Sequence, residues 1–75
     1  MREVQMLEFA RRIREVRERL GLSQSEFARE FGLGLRSLQE WEQARRLPDA
    51  AVFTYLRVID RNPAAVRSAL KPHAA

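Results

Sequence analysis

Residues 21–48 constrain the fold of this 75-residue chain more than any other stretch. Two short segments with helical apolar spacing are separated there only by residues 32–34, which leaves room for a tight turn and nothing longer. Ser23 and Glu26 have the spacing of a capping box, in which each side chain bonds the other residue's backbone amide. We therefore predict a short helix that begins after Ser23, ends at Gly32 and is followed at once by another.

A longer helix is predicted before this stretch, because apolar residues recur there at spacings of three and four. It should run from about Glu3 to Leu20, and Gly21 should end it. Arg17 lies within the apolar stripe, one turn after Ile13, where a charge needs a partner. The stripe consists of Met6, Phe9, Ile13, Val16 and Leu20.

Two more helices are predicted after residue 48. Asp49 is a suitable N-cap for a fourth helix, and Asn62 followed by Pro63 is a strong start for a fifth. No alternation of apolar and polar residues lasts four positions, so no strand is expected. The prediction is an all-α domain of five helices over residues 1–71, with a frayed tail at residues 72–75. The expected inward residues are Val52, Phe53, Leu56 and Ile59 of the fourth helix and Val66 and Leu70 of the fifth.

The charge of the chain is concentrated in its second half. Residues 1–42 contain eight arginines and eight glutamates, whereas residues 43–75 contain six basic and two acidic residues and account for the net charge of +4. A basic half favours a polyanionic partner such as nucleic acid.

The composition argues against an enzyme, a metal site and a membrane protein. The chain has no cysteine, and its single histidine, His73, lies in the predicted tail, so no catalytic residue, metal or other cofactor is expected. No apolar run approaches the roughly 18 residues of a membrane span, and the N-terminus lacks the apolar region of a signal peptide. We expect a cytoplasmic protein.

A helix, a glycine turn and a second helix make up the helix-turn-helix, whose second helix enters the DNA major groove. A wider pattern around this motif consists of Gly21-Leu22-Ser23-Gln24, Phe27-Ala28, Gly32, Leu38, Trp41-Glu42, Arg45-Arg46 and Pro48. By this pattern the chain resembles the Xre family of helix-turn-helix DNA-binding proteins, which have the five-helix fold of the lambda and 434 repressors. Within that family, residues 56–63 are similar to a segment of HigA/MqsA-type antitoxins.

The resemblance implies a nucleoid-associated repressor of bacterial or phage type, which binds double-stranded DNA as a homodimer and represses its own promoter. Its operator would be palindromic, with half-sites about 10 bp apart. The antitoxin resemblance also implies a small RNase toxin as partner. Two alternatives remain open: a repressor without a toxin, and a helix-turn-helix module used mainly for protein–protein interaction. The C-terminal third is the expected dimer surface, because Leu47, Val58 and Val66 exceed what one small core needs.

Base contacts are expected from the exposed side of the third helix. Arg36 is the strongest candidate, because arginine reads guanine through O6 and N7. Gln39 suits adenine, whereas Glu40 can accept from cytosine N4 but repels phosphates and so discourages binding to wrong sites. Leu35 would contact thymine methyl groups. The alternative for each is an ordinary solvated side chain.

Phosphate contacts are expected around the two helices. Gln24 matches the family's phosphate-binding glutamine, and Ser23 would share its phosphate, although its capping role alone explains that serine. Arg45 and Arg46 follow the third helix and would clamp phosphates. Ser37 has equal claims as a phosphate contact and as a small packing residue.

Arg17 and Glu42 match the residues that form a salt bridge between the first and third helices in the family fold. The alternative is two unrelated surface charges. Gly34 and Ala44 depart from the family pattern, because Gly34 offers no side-chain cap and Ala44 replaces the usual glycine stop. The third helix is therefore expected to be firm only when it is bound to DNA.

Overall fold

The computed structural model describes residues 2–72 and folds them into five helices. The prediction of an all-α fold with five helices is confirmed, and residues 2–72 contain no strand. Residues 73–75 of the predicted tail lie outside the described residues. The helices are α1 (Arg2–Arg19), α2 (Gln24–Phe31), α3 (Leu35–Glu42), α4 (Ala50–Arg61) and α5 (Pro63–Leu70).

One hydrophobic core joins all five helices. α1 packs on α3 and α4, α2 packs on α3 and α5, and α4 packs on α5. Phe27 and Leu38 are completely buried where α2 meets α3. The ring of Phe9 in α1 meets the ring of Trp41 in α3 edge to face, with 6.0 Å between their centroids. The core consists of Phe9, Ile13, Val16, Phe27, Ala28, Phe31, Leu38, Trp41, Leu56, Ile59 and Val66.

Side-chain caps start three of the helices, as the sequence predicts. The Ser23 hydroxyl accepts from the Glu26 amide at 3.1 Å, and the Glu26 carboxylate accepts from the Ser23 amide at 2.8 Å. These hydrogen bonds lower the pKa of Glu26 below its ordinary value. An Asp49 carboxylate oxygen caps α4 by accepting from the Val52 amide at 3.0 Å, and the Asn62 amide oxygen caps α5 by accepting from the Ala65 amide at 3.1 Å. Gly34 provides no side-chain hydrogen bond at the start of α3.

Three helices end in a residue with left-handed backbone conformation. Gly21 (φ 73°) follows α1, Gly32 (φ 68°) follows α2 and Ala44 (φ 57°) follows α3. After α3, the Arg45 amide bonds the Glu40 carbonyl at 2.9 Å and the Ala44 amide bonds the Trp41 carbonyl at 3.1 Å, which is a Schellman motif. Ala44 therefore adopts a conformation that glycine adopts at lower cost.

Two predicted core positions, Phe53 and Leu70, and one predicted dimer-surface position, Val66, need correction, whereas the prediction that Val66 points inward is confirmed. Phe53 is 36% exposed, because Val52, Leu56 and Ile59 take the inward side of α4 and leave its ring against Phe9 at the core edge. Leu70, expected to point inward from α5, is 49% exposed. Val66 is the buried residue of α5, so it belongs to the core and not to a dimer surface.

Candidate nucleic-acid interface

α3 buries one side and exposes the other. Leu38 and Trp41 point into the core, whereas Leu35 is 39% exposed and Arg36 is exposed. The side chains of Gln39 and Glu40 are half-buried, one turn further along the helix. The four predicted base-contacting residues therefore all have solvent-accessible surface on one short helix.

Glu42, at the last position of α3, is buried and forms a two-point ion pair with Arg17 of α1. Arg17 Nε lies 2.7 Å from Glu42 Oε2, and the guanidinium NH2 group lies 2.8 Å from Glu42 Oε1. Hydrogen bonding to Glu42 raises the pKa of Arg17, which keeps the guanidinium charged. Gln24 at the start of α2 donates to Glu42 Oε1 over 3.2 Å, so one carboxylate joins three helices.

The Arg14 side chain also holds the C-terminal end of α3, through a hydrogen bond to the α3 backbone. Its guanidinium donates to the Glu42 carbonyl oxygen at 2.8 Å, and this carbonyl is one of those that a helix C-terminus leaves without an intrahelical donor. Sequence reasoning missed this contact. The available signal was its position three residues before Arg17, which places both guanidinium groups toward one side of α1.

α2 is anchored at its C-terminal end by two residues that sequence reasoning also missed. The Tyr55 hydroxyl donates to the Phe31 carbonyl at 2.7 Å, and burial raises the pKa of this hydroxyl. Arg67 of α5 donates to Glu30 at 2.7 Å, and its guanidinium carbon lies 5.5 Å from the centre of the Phe31 ring. Both contacts join residues distant in sequence, so no local pattern indicates them.

Arg46 folds back onto α3 in this structure. It donates to the Ser37 hydroxyl at 2.8 Å, and its other terminal nitrogen lies 3.2 Å from Glu40 Oε1. Its guanidinium carbon also lies 6.0 Å from the centre of the Trp41 ring. Three residues predicted to contact DNA, Arg46, Ser37 and Glu40, thus form one cluster, in which the charges of Arg46 and Glu40 partly neutralise each other.

The remaining candidates differ in how they are engaged. Arg36 and Arg45 are exposed and make no side-chain hydrogen bond or ion pair with other residues of the described part of the chain. Ser23 is exposed but used as a helix cap, and one amide hydrogen of Gln24 is directed at Glu42. Unused donors therefore remain on Arg36, Arg45 and Gln24, and also on Gln39, whose side-chain amide makes no hydrogen bond within residues 2–72.

The sequence of this chain matches a family model over nearly its whole length. Residues 2–68 match the family described as the antitoxin component of bacterial toxin-antitoxin systems, MqsA. The chain belongs to this family. Its five helices and the exposed side of α3 are consistent with a helix-turn-helix regulator. The predicted resemblance to an antitoxin of this class is confirmed.

Two relatives carry related names. Antitoxin HigA-2 of Vibrio cholerae is 35% identical over 48 residues, which cover 64% of this chain and 46% of that protein. The HTH-type transcriptional regulator YiaG of Escherichia coli K12 is 36% identical over 52 residues, which cover 69% of this chain and 54% of YiaG. The chain thus spans about half the length of these relatives. No solved structure matches it.

Helices of residues 2–72 do not reach the length and hydropathy that a membrane span requires.

Proposed function

We propose that this member of the MqsA antitoxin family binds double-stranded DNA sequence-specifically and represses transcription, with α3 in the major groove. The observation that carries the proposal is the exposure of Leu35 and Arg36 on a helix whose other end is held by Glu42. A base-reading helix must be held at a fixed angle to its domain, because a small rotation moves its side chains out of reach of the base edges.

The proposed contacts divide into bases and phosphates. Arg36 reads guanine and Leu35 contacts thymine methyl groups, while Gln39 and Glu40 read adenine and cytosine one turn later. Arg45 and the second amide hydrogen of Gln24 bind phosphates. The remaining proposed phosphate contacts come from Ser23, Ser37 and Arg46, and the last two must exchange their mutual hydrogen bond for DNA.

We further propose that the protein acts as a homodimer on a palindromic operator in its own promoter. One small module buries only about 600–1,000 Å² on DNA, so useful specificity requires two half-sites about 10 bp apart. The names of its family and of HigA-2 support a role as an antitoxin. We propose that its partner is a small RNase toxin and that the protein acts in the cytoplasm, on the nucleoid.

A mobility-shift titration tests the DNA-binding proposal. The probe is the promoter fragment upstream of the gene, and a scrambled fragment of equal length is the control. Arg36→Ala should weaken binding to the promoter by about 10- to 100-fold and leave scrambled DNA less affected, because a base contact carries specificity. Arg45→Ala should weaken both to a similar extent and reduce the salt slope by about one. Equal affinity of the wild-type protein for both fragments would refute sequence-specific binding.

A separate experiment tests the antitoxin role. Each of the two neighbouring genes is expressed alone and together with this chain, and growth and RNA integrity are measured. Growth arrest with RNA cleavage that this chain relieves would support the proposal. Absence of toxicity from either neighbouring gene would favour a repressor without a toxin.

A further inference from the structure

A cleft separates the N-terminal half of α1 from α4. It has a volume of about 560 Å³, and its apolar floor consists of Phe9, Phe53 and Leu56. Gln5, Glu8, Arg11, Arg12 and Arg57 line the rest of it. These residues belong to α1 and α4, so the cleft shares no residue with the proposed DNA-binding surface on α2, α3 and the loop after α3.

The beginning of α1 extends the apolar surface of the cleft into solvent. None of residues 2–8 is buried, although all of them are helical. Val4 is 53% exposed and Leu7 is 63% exposed, and Val4 shares one stripe of the helix with Glu8 and Arg11, which line the cleft. Isolated helical turns are marginally stable in water, so two turns without buried side chains gain stability when a partner packs on them.

The charge around the cleft defines the chemistry of that partner. Three arginines and one glutamate line it, and Arg12 and Arg57 make no ion pair within residues 2–72. An acidic surface complements this rim, whereas a second copy of the chain would bring the same arginine excess to the contact. A nucleic acid would use the arginines but would leave the exposed Val4 without a function, because aliphatic side chains do not stack on bases.

We propose that the cleft between α1 and α4 docks an acidic amphipathic helix of a protein partner. Apolar residues of that helix, at spacings of three and four, pack on Phe53, Phe9 and Val4, and its carboxylates pair with the arginine rim. This interaction uses a different surface from DNA binding, so it stands or falls independently of the operator proposal and permits both partners to bind at once.

Selection from a display library of helical peptides tests the inference. The whole chain is the bait. The peptides are randomised at the positions on one helix face and have fixed helix-forming residues at all other positions. Enriched sequences should combine Asp or Glu with apolar residues at spacings of three and four. Bound to ¹⁵N-labelled protein, they should shift the amide resonances of the first half of α1 and of α4 while leaving those of α3 unchanged.

Two variants with the same change of charge provide the control. Arg57→Glu, at the cleft, should weaken the selected peptides about tenfold or more. Arg29→Glu, on the exposed side of α2, should leave their affinity unchanged. Both positions are exposed, and thermal unfolding monitored by circular dichroism checks that both variants remain folded.

Several results would overturn the proposal. Enriched peptides with no acidic preference, an equal loss in the two variants, or resonance shifts confined to another face would each contradict the docking site. If Arg57→Glu abolishes self-association of the chain in sedimentation equilibrium, the cleft belongs to a second copy. If Arg57→Glu weakens a single-stranded oligonucleotide as much as it weakens the peptides, the rim binds nucleic acid.

Discussion

Glu42 connects three helices through one buried carboxylate. Its side chain is 4% exposed and accepts from Arg17 of α1 and Gln24 of α2, while its own backbone carbonyl accepts from Arg14. A buried ion pair contributes little net stability compared with an apolar pair of equal shape, but the loss of one partner leaves the other charge buried and uncompensated. The residue therefore matters for the position of α3 more than its energy in the intact protein indicates.

We expect Glu42→Ala to lower the free energy of unfolding by about 3–5 kcal/mol, because Arg17 then lacks its partner at 15% side-chain exposure. Glu18→Ala, which removes an exposed carboxylate one residue after Arg17, is the control and should cost less than about 0.5 kcal/mol. Urea unfolding monitored by circular dichroism measures both variants. Equal midpoints would contradict a structural role for the pair.

Ala44 has the only positive φ angle among the non-glycine residues of the described chain. A non-glycine residue in this region costs roughly 1–2 kcal/mol of folded-state stability, and glycine avoids this cost. Glycine also has a larger conformational entropy in the unfolded state, which offsets part of the stabilisation. We expect Ala44→Gly to stabilise the protein by about 0.5–1 kcal/mol, which raises the melting temperature by a few degrees. Ala51→Gly, at an exposed helical position of α4, should shift the melting temperature downward in the same calorimetric experiment.

At the scale of elements, α3 is a short helix whose two ends differ in how strongly they are capped and anchored. Its start has only Gly34 as a cap, whereas its end has a complete Schellman motif, the Arg17 ion pair and the Arg14 hydrogen bond. The expectation of a loose helix stays a prediction for the first turn, which contains Leu35 and Arg36. The C-terminal turn of α3 is anchored by contacts within the protein and does not require DNA.

The cluster of Arg46, Ser37 and Glu40 leads to a prediction about salt dependence. Glu40→Ala should release Arg46 for a phosphate and remove a charge that repels DNA, so binding to scrambled DNA should tighten. Its plot of log affinity against log salt should steepen by about 0.9, the equivalent of one more neutralised phosphate. Fluorescence anisotropy over a salt series measures this slope.

The control for this prediction separates a local effect from a change of net charge. Glu18→Ala removes the same charge from α1 and should leave the slope unchanged. In the Arg46→Ala background, Glu40→Ala should no longer steepen the slope. If Glu40→Ala, Glu18→Ala and the Arg46→Ala, Glu40→Ala double variant all change the salt slope to the same extent, the cluster has no role in DNA binding.

At the scale of the whole molecule, the proposed operator binding calls for a second copy, because one small domain contacts too little DNA for useful specificity. The predicted dimer surface in the C-terminal third loses Val66, which belongs to the core, but keeps Val58 at 47% exposure on α4. A deletion of α5 would remove Val66 and the Arg67 contact to α2, so it would disturb the fold together with any interface. Single substitutions at exposed positions are the better test.

We expect Val58→Glu to shift the protein from dimer to monomer in sedimentation equilibrium at micromolar concentration, because it buries a charge in the proposed interface. Its affinity for a two-half-site operator should fall to that for a single half-site. Ser25→Glu adds the same charge at an exposed position of α2 and should remain dimeric. A Val58→Glu variant that stays dimeric would move the interface elsewhere.

The local signals in the sequence determined the helices. Ser23 with Glu26, Asp49, Asn62 with Pro63, and the two glycines with positive φ act within one turn of their own position, so the elements and their limits could be predicted closely. Helical periodicity likewise identified most of the core, including Phe27, Phe31 and Leu38, because burial of one helix face repeats with the helix itself.

Only the tertiary structure decided how these helices hold one another and which surfaces remain. The Tyr55 and Arg67 contacts to α2 join residues more than 20 positions apart, and periodicity carries no information about such pairs. The exposure of Phe53 depends on which neighbouring side chains occupy the inward side of α4. The contact of the Arg46 side chain with α3 depends on the direction that the chain takes after Ala44. The sequence by itself determined that α3 exists and which residues it carries, whereas packing decided which of their donors remain available.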